Sequence, residues 1–308
     1  MAARGTGPGE GAGLADRRLI VVTGKGGVGK SALTSVLGHS LAARGRRTLL
    51  LEVDPRENLH QLLDVPPSGG EIVPVADRLY LQNLKPQDVV DWVVRKQVKL
   101  EMLVKRVLGS PIYHRFVEGA PGLKEMAILG HALRVVRGET PKAPPVDTVI
   151  LDAPATGHGV YLLTASRLFA DTIGHGPFAE MAREVADFVS DPSATGIVVV
   201  TLAEEMPVQE ALELRGSLED RFGRGPSLLV ANGIYPEVPS DPRGSEEMLR
   251  LWSRRRQVNA SELERLFSQW AGPKVELPLL PIDRGPRLIR ELQARFDAAL
   301  DGLEGTSP

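Results

Sequence analysis

The sequence predicts an α/β fold built on a doubly wound, mostly parallel β-sheet. Two observations support this: short apolar runs alternate with helical stretches, and the first run leads into a glycine-rich loop that opens a helix. Continuous apolar runs indicate strands that are covered on both faces, as in parallel sheets. The predicted strands span residues 19–23, 48–53, 79–84, 148–153, 196–202, 227–232 and 274–280.

Composition narrows the class of protein. The chain has 308 residues, 42% of them hydrophobic, and its 37 basic and 39 acidic residues leave a net charge of −2. This balance argues against a dedicated polyanion-binding surface, so no nucleic acid partner is expected. No apolar run approaches the roughly 20 residues that cross a bilayer. The absence of cysteine excludes disulfides, thiolate zinc sites and cysteine nucleophiles. We therefore expect a cytoplasmic enzyme without an integral membrane segment.

The glycine-rich loop carries a phosphate-binding motif. Residues 24–31 read G-K-G-G-V-G-K-S and satisfy the pattern G-x-x-x-x-G-K-[ST]. In this pattern backbone N–H groups cradle phosphates, Lys30 reaches the β- and γ-phosphates, and the hydroxyl of Ser31 holds Mg²⁺. The following helix, predicted over 32–44, adds a positive dipole end that favours an anion. We expect ATP and Mg²⁺, with nucleotide contacts from Gly24, Gly26, Gly27, Val28, Gly29, Lys30, Ser31 and Ala32.

A second lysine, Lys25, distinguishes this loop from an ordinary phosphate loop. The octamer resembles the deviant loop of the MinD, ParA, nitrogenase iron protein and ArsA group of ATPases. In that group the extra lysine reaches across a homodimer to the phosphates bound by the other subunit. The resemblance therefore implies a homodimer in which Lys25 is catalytic. A cation supplied by the partner subunit would tie hydrolysis to dimerisation.

Two aspartates lie at the carboxyl ends of predicted strands. Asp54 follows the strand 48–53 and precedes Pro55, and Asp152 lies near the end of the strand 148–153. A carboxylate in this place can polarise the attacking water or hold a magnesium-bound water. We expect Asp54 to be catalytic, and the metal site to comprise Ser31, Asp54 and Asp152. A turn-capping role for Asp54 is the alternative, because Asp-Pro is common in turns.

The segment that begins at Asp152 narrows the resemblance to one family. Residues 152–158 read D-A-P-A-T-G-H and resemble the D-T-A-P-T-G-H signature of the ArsA family of arsenite-pump and tail-anchored-protein targeting ATPases. Residues 121–125, 204–210 and 231–237 are similar to further family motifs. The resemblance implies that Glu210 and Asn232 contact bound nucleotide. The chain departs from the family in lacking arsenite- or zinc-binding cysteines and in reading D-P-R-E-N at residues 54–58.

The stretch 85–137 predicts two or three helices and no strand. Its apolar residues fall close to one helical stripe, which comprises Val89, Val93, Leu100, Leu103, Val104 and Val107. Either these helices pack on the sheet, or they form a helical insertion that grips a partner protein. We interpret 17–302 as one ATPase domain containing this insertion. A disordered leader is expected over 1–16 and a frayed tail over 303–308.

Together these features predict an ATP-hydrolysing nucleotide switch of the ArsA-like type that acts on a partner protein. A MinD- or ParA-like positioning ATPase is one alternative. Against it, residues 289–303 mix basic and acidic side chains and do not form a basic amphipathic helix. The other alternative is a nucleotide-responsive regulatory subunit with little turnover, which the altered residues 54–58 would permit.

Overall fold

A β-sheet forms the centre of the protein, for which the computed structural model describes residues 13–53, 58–98, 100–141, 143–154, 159–237 and 245–304. Its strands are β1 (Leu19–Thr23), β2 (Thr48–Glu52), β3 (Val73–Ala76), β4 (Leu79–Asn83), β5 (Thr148–Asp152), β6 (Thr195–Leu202), β7 (Leu228–Ile234) and β8 (Lys274–Pro278). In space they lie in the order β3-β4-β2-β5-β1-β6-β7-β8. Every neighbouring pair is parallel except β3 with β4. This confirms the predicted doubly wound, mostly parallel sheet.

Helices cover both faces of the sheet. They are α1 (Lys30–Ala43), α2 (Asn58–Leu63), α3 (Pro86–Gln97), α4 (Glu101–Leu108), α5 (Pro111–Gly119), α6 (Leu123–Val136), α7 (Gly159–Ile173), α8 (Pro177–Ser190), α9 (Glu205–Phe222), α10 (Glu246–Gln269) and α11 (Pro286–Glu304). Leu19 and Val21 of β1 pack with α3, α6, α7 and α8, whereas Ile20 and Val22 pack with α1, α2 and α11. Because successive side chains of a strand point to opposite faces, two-sided cover buries all five residues of β1.

The strands predicted from apolar runs are present, with ends displaced by at most two residues. Strand β3 was not predicted. It has four residues, alternately half-buried and exposed, and it pairs only with β4 at the edge of the sheet. Its Pro74 is tolerated because an edge strand can dispense with one backbone donor. A short, partly exposed strand leaves too weak an apolar pattern to read from sequence.

The stretch 85–137 is helical, as predicted, but its apolar residues do not form one stripe. Helix α3 ends at Gln97 and α4 begins at Glu101, and Val98 and Leu100 have extended backbone angles. Val89 and Val93 are buried on α3, whereas Leu100 and Leu103 are exposed. Helices α3 and α6 belong to the core beneath the sheet, and α4 and α5 lie outside it apart from a few buried side chains. Packing in the core therefore describes α3 and α6, but not most of α4 and α5.

The two ends of the described chain extend the ordered structure beyond the expected domain limits. Leu14–Asp16 form a short 3₁₀ helix, and Leu14 packs against the core that contains α1. Leu303 packs against the same core, because α11 continues to Glu304. The rest of the expected leader, residues 1–12, and residues 305–308 lie outside the described part of the chain. Of the helices described, none is long and apolar enough to cross a membrane.

Candidate functional site

The loop between β1 and α1 adopts the conformation that its glycines permit. Gly24, Gly27 and Gly29 have φ angles of 147°, 84° and 96°. A Cβ atom on Gly24 would collide with the backbone carbonyl oxygen of Val200, and one on Gly29 would collide with the side chain of Asn232. Only glycine combines these backbone angles with such close packing. The loop therefore keeps its backbone accessible to a ligand, as the phosphate-binding motif requires.

Lys30 begins α1, and its side chain folds back over the loop. Its Nζ donates hydrogen bonds to the carbonyl oxygens of Gly24 (3.2 Å) and Lys25 (2.9 Å). Burial lowers the pKa of the Lys30 ammonium below its ordinary value, and the negative charge of Asp152 opposes that shift. The loop thus surrounds a partly desolvated cation, which increases its attraction for a phosphate.

Ser31 and Asp152 meet beside the loop, as predicted for a metal site. The Ser31 hydroxyl donates to Asp152 Oδ2 at 2.6 Å, and β5 brings Asp152 there because it pairs with β1. Hydroxyl and carboxylate oxygens are ligands that suit Mg²⁺. Asp54, the third predicted ligand, lies outside the described residues. Elsewhere in the described ranges no group of three or more acidic or histidine side chains could hold a metal. Such a sparse donor set suits Mg²⁺, which is commonly held by few side chains together with phosphates and water.

Glu52 is a site residue that the sequence analysis did not identify. It ends β2 and is only 2% exposed. Its carboxylate accepts hydrogen bonds from the backbone N–H groups of Asn58 (2.8 Å) and Leu59 (3.2 Å), where α2 begins. The carboxylate therefore holds the backbone of Asn58, the first described residue after the segment that contains Asp54. A glutamate within an otherwise apolar strand was the available signal, because buried charges are rare unless they are paired.

Lys25 and Glu210, predicted separately as a catalytic and a nucleotide-binding residue, lie in contact. Lys25 Nζ donates to Glu210 Oε1 at 2.7 Å, and the two side chains are 34% and 38% exposed. Both line a cavity of about 480 Å³ together with Gly24 and Gly26. In this structure the lysine is thus held by a carboxylate of its own chain. Exposed ion pairs of this kind contribute about 1 kcal/mol or less, so the lysine can be released.

Asn232 reaches the phosphate loop from β7. Its Nδ2 donates to the carbonyl oxygen of Val28 at 2.9 Å. The register between β7 and β8 shifts between Ala231 and Ile234, a segment that contains Gly233 with a φ of 66°. Irregularities of this kind often redirect a side chain next to a functional site. The predicted contact residue Asn232 therefore lies at the loop, on the opposite side of β1 from β5.

A cavity of about 610 Å³ opens beside the loop at the carboxyl ends of the strands. Its walls include Lys30, Ser31, Ala32, Glu52, Asp152 and Arg284. Arg284 was not predicted, and its Nη2 donates to the carbonyl oxygen of Asn58 at 3.2 Å. The volume falls within the range of small-molecule sites, and parallel sheets bind ligands at this edge. The cavity is therefore the candidate nucleotide site.

A buried parallel strand, a glycine loop, a helix that begins with Lys30-Ser31 and an aspartate on the neighbouring strand together define a phosphate-loop nucleotide-binding protein. Comparison with known sequences specifies the family. The anion-transporting ATPase family (ArsA ATPase) matches residues 17–175 and 176–293, and the chain belongs to this family. The resemblance inferred from the residues 24–31 and 152–158 is thereby confirmed.

Relatives with known names support this assignment. ATPase BagA of Mycobacterium tuberculosis is 32% identical over 213 residues, covering 65% of this chain and 60% of that protein. A putative arsenical pump-driving ATPase of Halobacterium salinarum is 27% identical, with 94% of this chain and 45% of the relative covered. An arsenical pump-driving ATPase of Escherichia coli is 24% identical, with 79% and 43% covered. The chain thus aligns with about 60% of the length of the mycobacterial relative and with less than half of the two pump-driving ATPases.

Proposed function

We propose that the protein hydrolyses ATP with Mg²⁺ and that the nucleotide acts as a switch controlling a partner protein. The observation that carries the proposal is the convergence of Lys30, Ser31 and Asp152 on one glycine loop in a chain of the ArsA family. A second cation, Lys25, and a carboxylate that organises α2, Glu52, lie on either side of the same loop.

Each residue has a definite role in the proposed reaction. The loop N–H groups and the Lys30 ammonium would balance the phosphate charge, and Ser31 and Asp152 would hold Mg²⁺. Bound Mg²⁺ supplies further neutralisation of the phosphate oxygens. Asp54 would orient and polarise the attacking water. Glu52 holds the backbone of Asn58, the first described residue after the segment that contains Asp54. Phosphoryl transfer depends mainly on positioning and charge complementarity, which is what these residues provide.

Phosphate release from ATP tests the enzymatic part of the proposal. Lys30→Ala should weaken ATP binding by more than about tenfold, or ~1.4 kcal/mol, because it removes the buried cation. Asp54→Asn should retain ATP and slow hydrolysis by about 10² or more. The exposed Lys124 provides the control, since Lys124→Ala should change neither property. Binding without phosphate release by the unaltered protein would instead indicate a regulatory subunit, and undiminished binding by Lys30→Ala would contradict the site.

The partner-binding part of the proposal rests on α4 and α5. Six large apolar side chains there are exposed, among them Leu100 (64%), Met102 (82%), Ile112 (79%) and Phe116 (40%). Exposed apolar side chains grouped on one small region commonly mark an interaction site. Between residues 95 and 118 the sequence has six Lys or Arg residues and two Glu. We infer that an apolar segment with acidic flanking residues is the complementary partner.

The position of α4 and α5 in the chain suggests how nucleotide would control them. We retain the interpretation of one ATPase domain that contains the stretch 85–137, and this stretch lies between the two predicted switch aspartates, Asp54 and Asp152. Within it, α3 and α6 are anchored in the core, whereas α5 contributes only Tyr113 and Val117 to that core and α4 contributes none of its buried residues. Segments connected at both ends to γ-phosphate-sensing loops can order and disorder with hydrolysis.

Substitution of exposed residues separates partner binding from folding. Leu100→Ser with Ile112→Ser should abolish cross-linking to the partner at unchanged phosphate release, whereas the exposed Leu168 on α7 provides the control Leu168→Ser. Val93 is unsuitable as a probe because it is buried. Amide exchange in 100–119 should also differ between ADP and a non-hydrolysable ATP analogue. Sedimentation of the protein with anionic vesicles, lost in the double variant, would favour the MinD-like alternative over a protein partner.

A further inference from the structure

A buried arginine lies far from the nucleotide site. Arg134, in the last turn of α6, is 9% exposed, and its guanidinium carbon is 3.2 Å from the ring centroid of Trp92 on α3. Among the described residues, none accepts a hydrogen bond from the Arg134 side chain, and its Nε is fully buried. Stacking on the indole stabilises the face of the guanidinium but leaves its buried Nε donor without an acceptor. Buried donors without acceptors are costly, so this arrangement calls for an acceptor.

Arg134 lines a cavity of about 260 Å³ between α3, α6 and α8. One wall is apolar and includes Val93, Leu133 and Met181. Lys96 adds a second cation, with its Nζ 5.1 Å from the Trp92 ring. The cavity therefore offers a buried guanidinium and an ammonium beside an aliphatic wall.

The remaining charged groups of the cavity are largely balanced among themselves. Arg137 is paired with Glu184 at 3.0 Å and lies 4.0 Å from Glu139. Glu180 is exposed at the cavity, and Glu139 attracts the guanidinium only through space. Burial lowers the pKa of Arg134 below its ordinary value, and the charge of Glu139 opposes that shift. Arg134 is thus a cation of the cavity whose Nε lacks a hydrogen-bond acceptor among the described residues.

This cavity is separate from the nucleotide site. Arg18, which immediately precedes β1, donates through Nη2 to the carbonyl oxygen of Val136 at the end of α6. The end of α6 therefore lies at the amino ends of the strands, whereas the phosphate loop lies at their carboxyl ends. A five-residue strand spans about 17 Å, so the two sites are separated by roughly that distance.

We propose that the cavity between α3, α6 and α8 binds a small molecule with an oxyanion group, a carboxylate or a phosphate, attached to a short aliphatic portion. The two Nη groups of Arg134 can donate two parallel hydrogen bonds to either oxyanion, and Lys96 adds charge. The aliphatic portion would lie against Val93 and Met181. The volume is slightly below that of typical small-molecule pockets, which limits the ligand to a few heavy atoms. This inference does not depend on the proposed function.

Tryptophan fluorescence provides a direct measurement, because Trp92 stacks on the binding residue. Butyrate and inorganic phosphate are titrated separately against chloride at equal ionic strength, with saturating Mg-ADP to block the phosphate loop. We expect a saturable fluorescence change that is absent in Trp92→Phe, with matching heats by calorimetry. Stronger binding of butyrate identifies a carboxylate site, and stronger binding of phosphate identifies a phosphate site.

Variants test whether Arg134 binds the anion. Arg134→Gln should weaken the tighter anion by at least about tenfold, corresponding to ~1.4 kcal/mol. The exposed Arg167 on α7 serves as the control, and Arg167→Gln should bind normally. If Arg134→Gln does not fold, the exposed Lys96→Gln should still weaken binding by a few-fold. The proposal is wrong if the fluorescence response to butyrate and to phosphate is no greater than the response to chloride. It is also wrong if the Arg134 and Lys96 variants bind these anions as tightly as the unaltered protein does.

Discussion

His131 is the clearest example of a single residue whose surroundings set its charge. It is buried on α6, where its Nε2 lies 2.7 Å from Gln82 Oε1, so that nitrogen carries a proton and donates. Burial, aided by the positive charge of Arg134, lowers the pKa of His131 to about 4. The imidazole is consequently neutral in the folded protein at pH values where the unfolded chain protonates it.

The shifted pKa of His131 predicts a loss of stability in mild acid. Between about pH 6.5 and pH 4 the unfolded state binds a proton that the native state excludes, so the free energy of unfolding falls as pH falls. From pH 7 to pH 5 we expect this residue to contribute a loss of about 2 kcal/mol. Urea denaturation at both pH values measures it. His131→Gln should remove this part of the pH dependence, while the exposed His175→Gln should retain it.

The candidate site shows which residues sequence alone could identify. Lys30, Ser31 and Asp152 were predicted because their chemistry is tied to a local motif or to the end of an apolar strand, and the structure brings them together. Glu52 and Arg284 carry no such local signal. Their position depends on contacts with the start of α2, and those contacts exist only after β2, α2 and the segment before α11 have packed.

Among the helices, α2 has an unusual start because a buried carboxylate on β2 satisfies its first N–H groups. Glu52→Gln should raise amide exchange at Asn58 and Leu59 about fivefold or more. The reason is that capping interactions of a charged oxygen with a helix start contribute about 1 kcal/mol. Mass spectrometric exchange measures this, and the exposed Glu276→Gln on β8 is the matched control. Identical protection in both variants would show that Glu52 does not organise this segment.

The stretch 85–137 shows where helical periodicity loses its predictive value. Periodicity indicated helical structure correctly, but it predicted two or three helices where the structure describes four, α3 to α6. Periodicity could not show that α3 ends and α4 begins within this stretch, because the apolar residues of the two helices keep a similar spacing. The burial of Val93 and the exposure of Leu100 follow from the packing of α3 on α6, a contact between elements about 40 residues apart.

At the scale of the whole molecule, dimerisation is the central untested prediction. Lys25→Ala and Asp54→Asn should each be inactive in phosphate release, yet mixing them should restore activity. In a mixed dimer, one site combines Asp54 of its own chain with Lys25 of the other, provided that Lys25 acts across the interface. The contact between Lys25 and Glu210 of one chain would then have to open when two subunits meet.

A suitable control for the mixing experiment is the combination of Lys25→Ala with a chain carrying both substitutions. No complete site can form in that mixture, so its phosphate release should stay at background. If the two single variants show no recovery at any ratio, Lys25 acts within its own chain or has no part in hydrolysis. Light scattering with ATP and with ADP would report separately whether the dimer forms.

The order of the strands has a consequence for synthesis of the protein. Strand β1 is synthesised first, but its neighbours in the sheet are β5 and β6. Its backbone N–H and C=O groups can therefore complete their hydrogen bonds only after β6, which ends at Leu202, has been synthesised. At about 5–20 residues per second, a ribosome needs roughly 10–40 s to add the intervening residues. During that time the strand Leu19–Thr23, with four apolar residues and a threonine, lacks its final pairing and is exposed to association with other nascent chains. The strand that leads into the candidate phosphate loop therefore needs protection while the chain is growing.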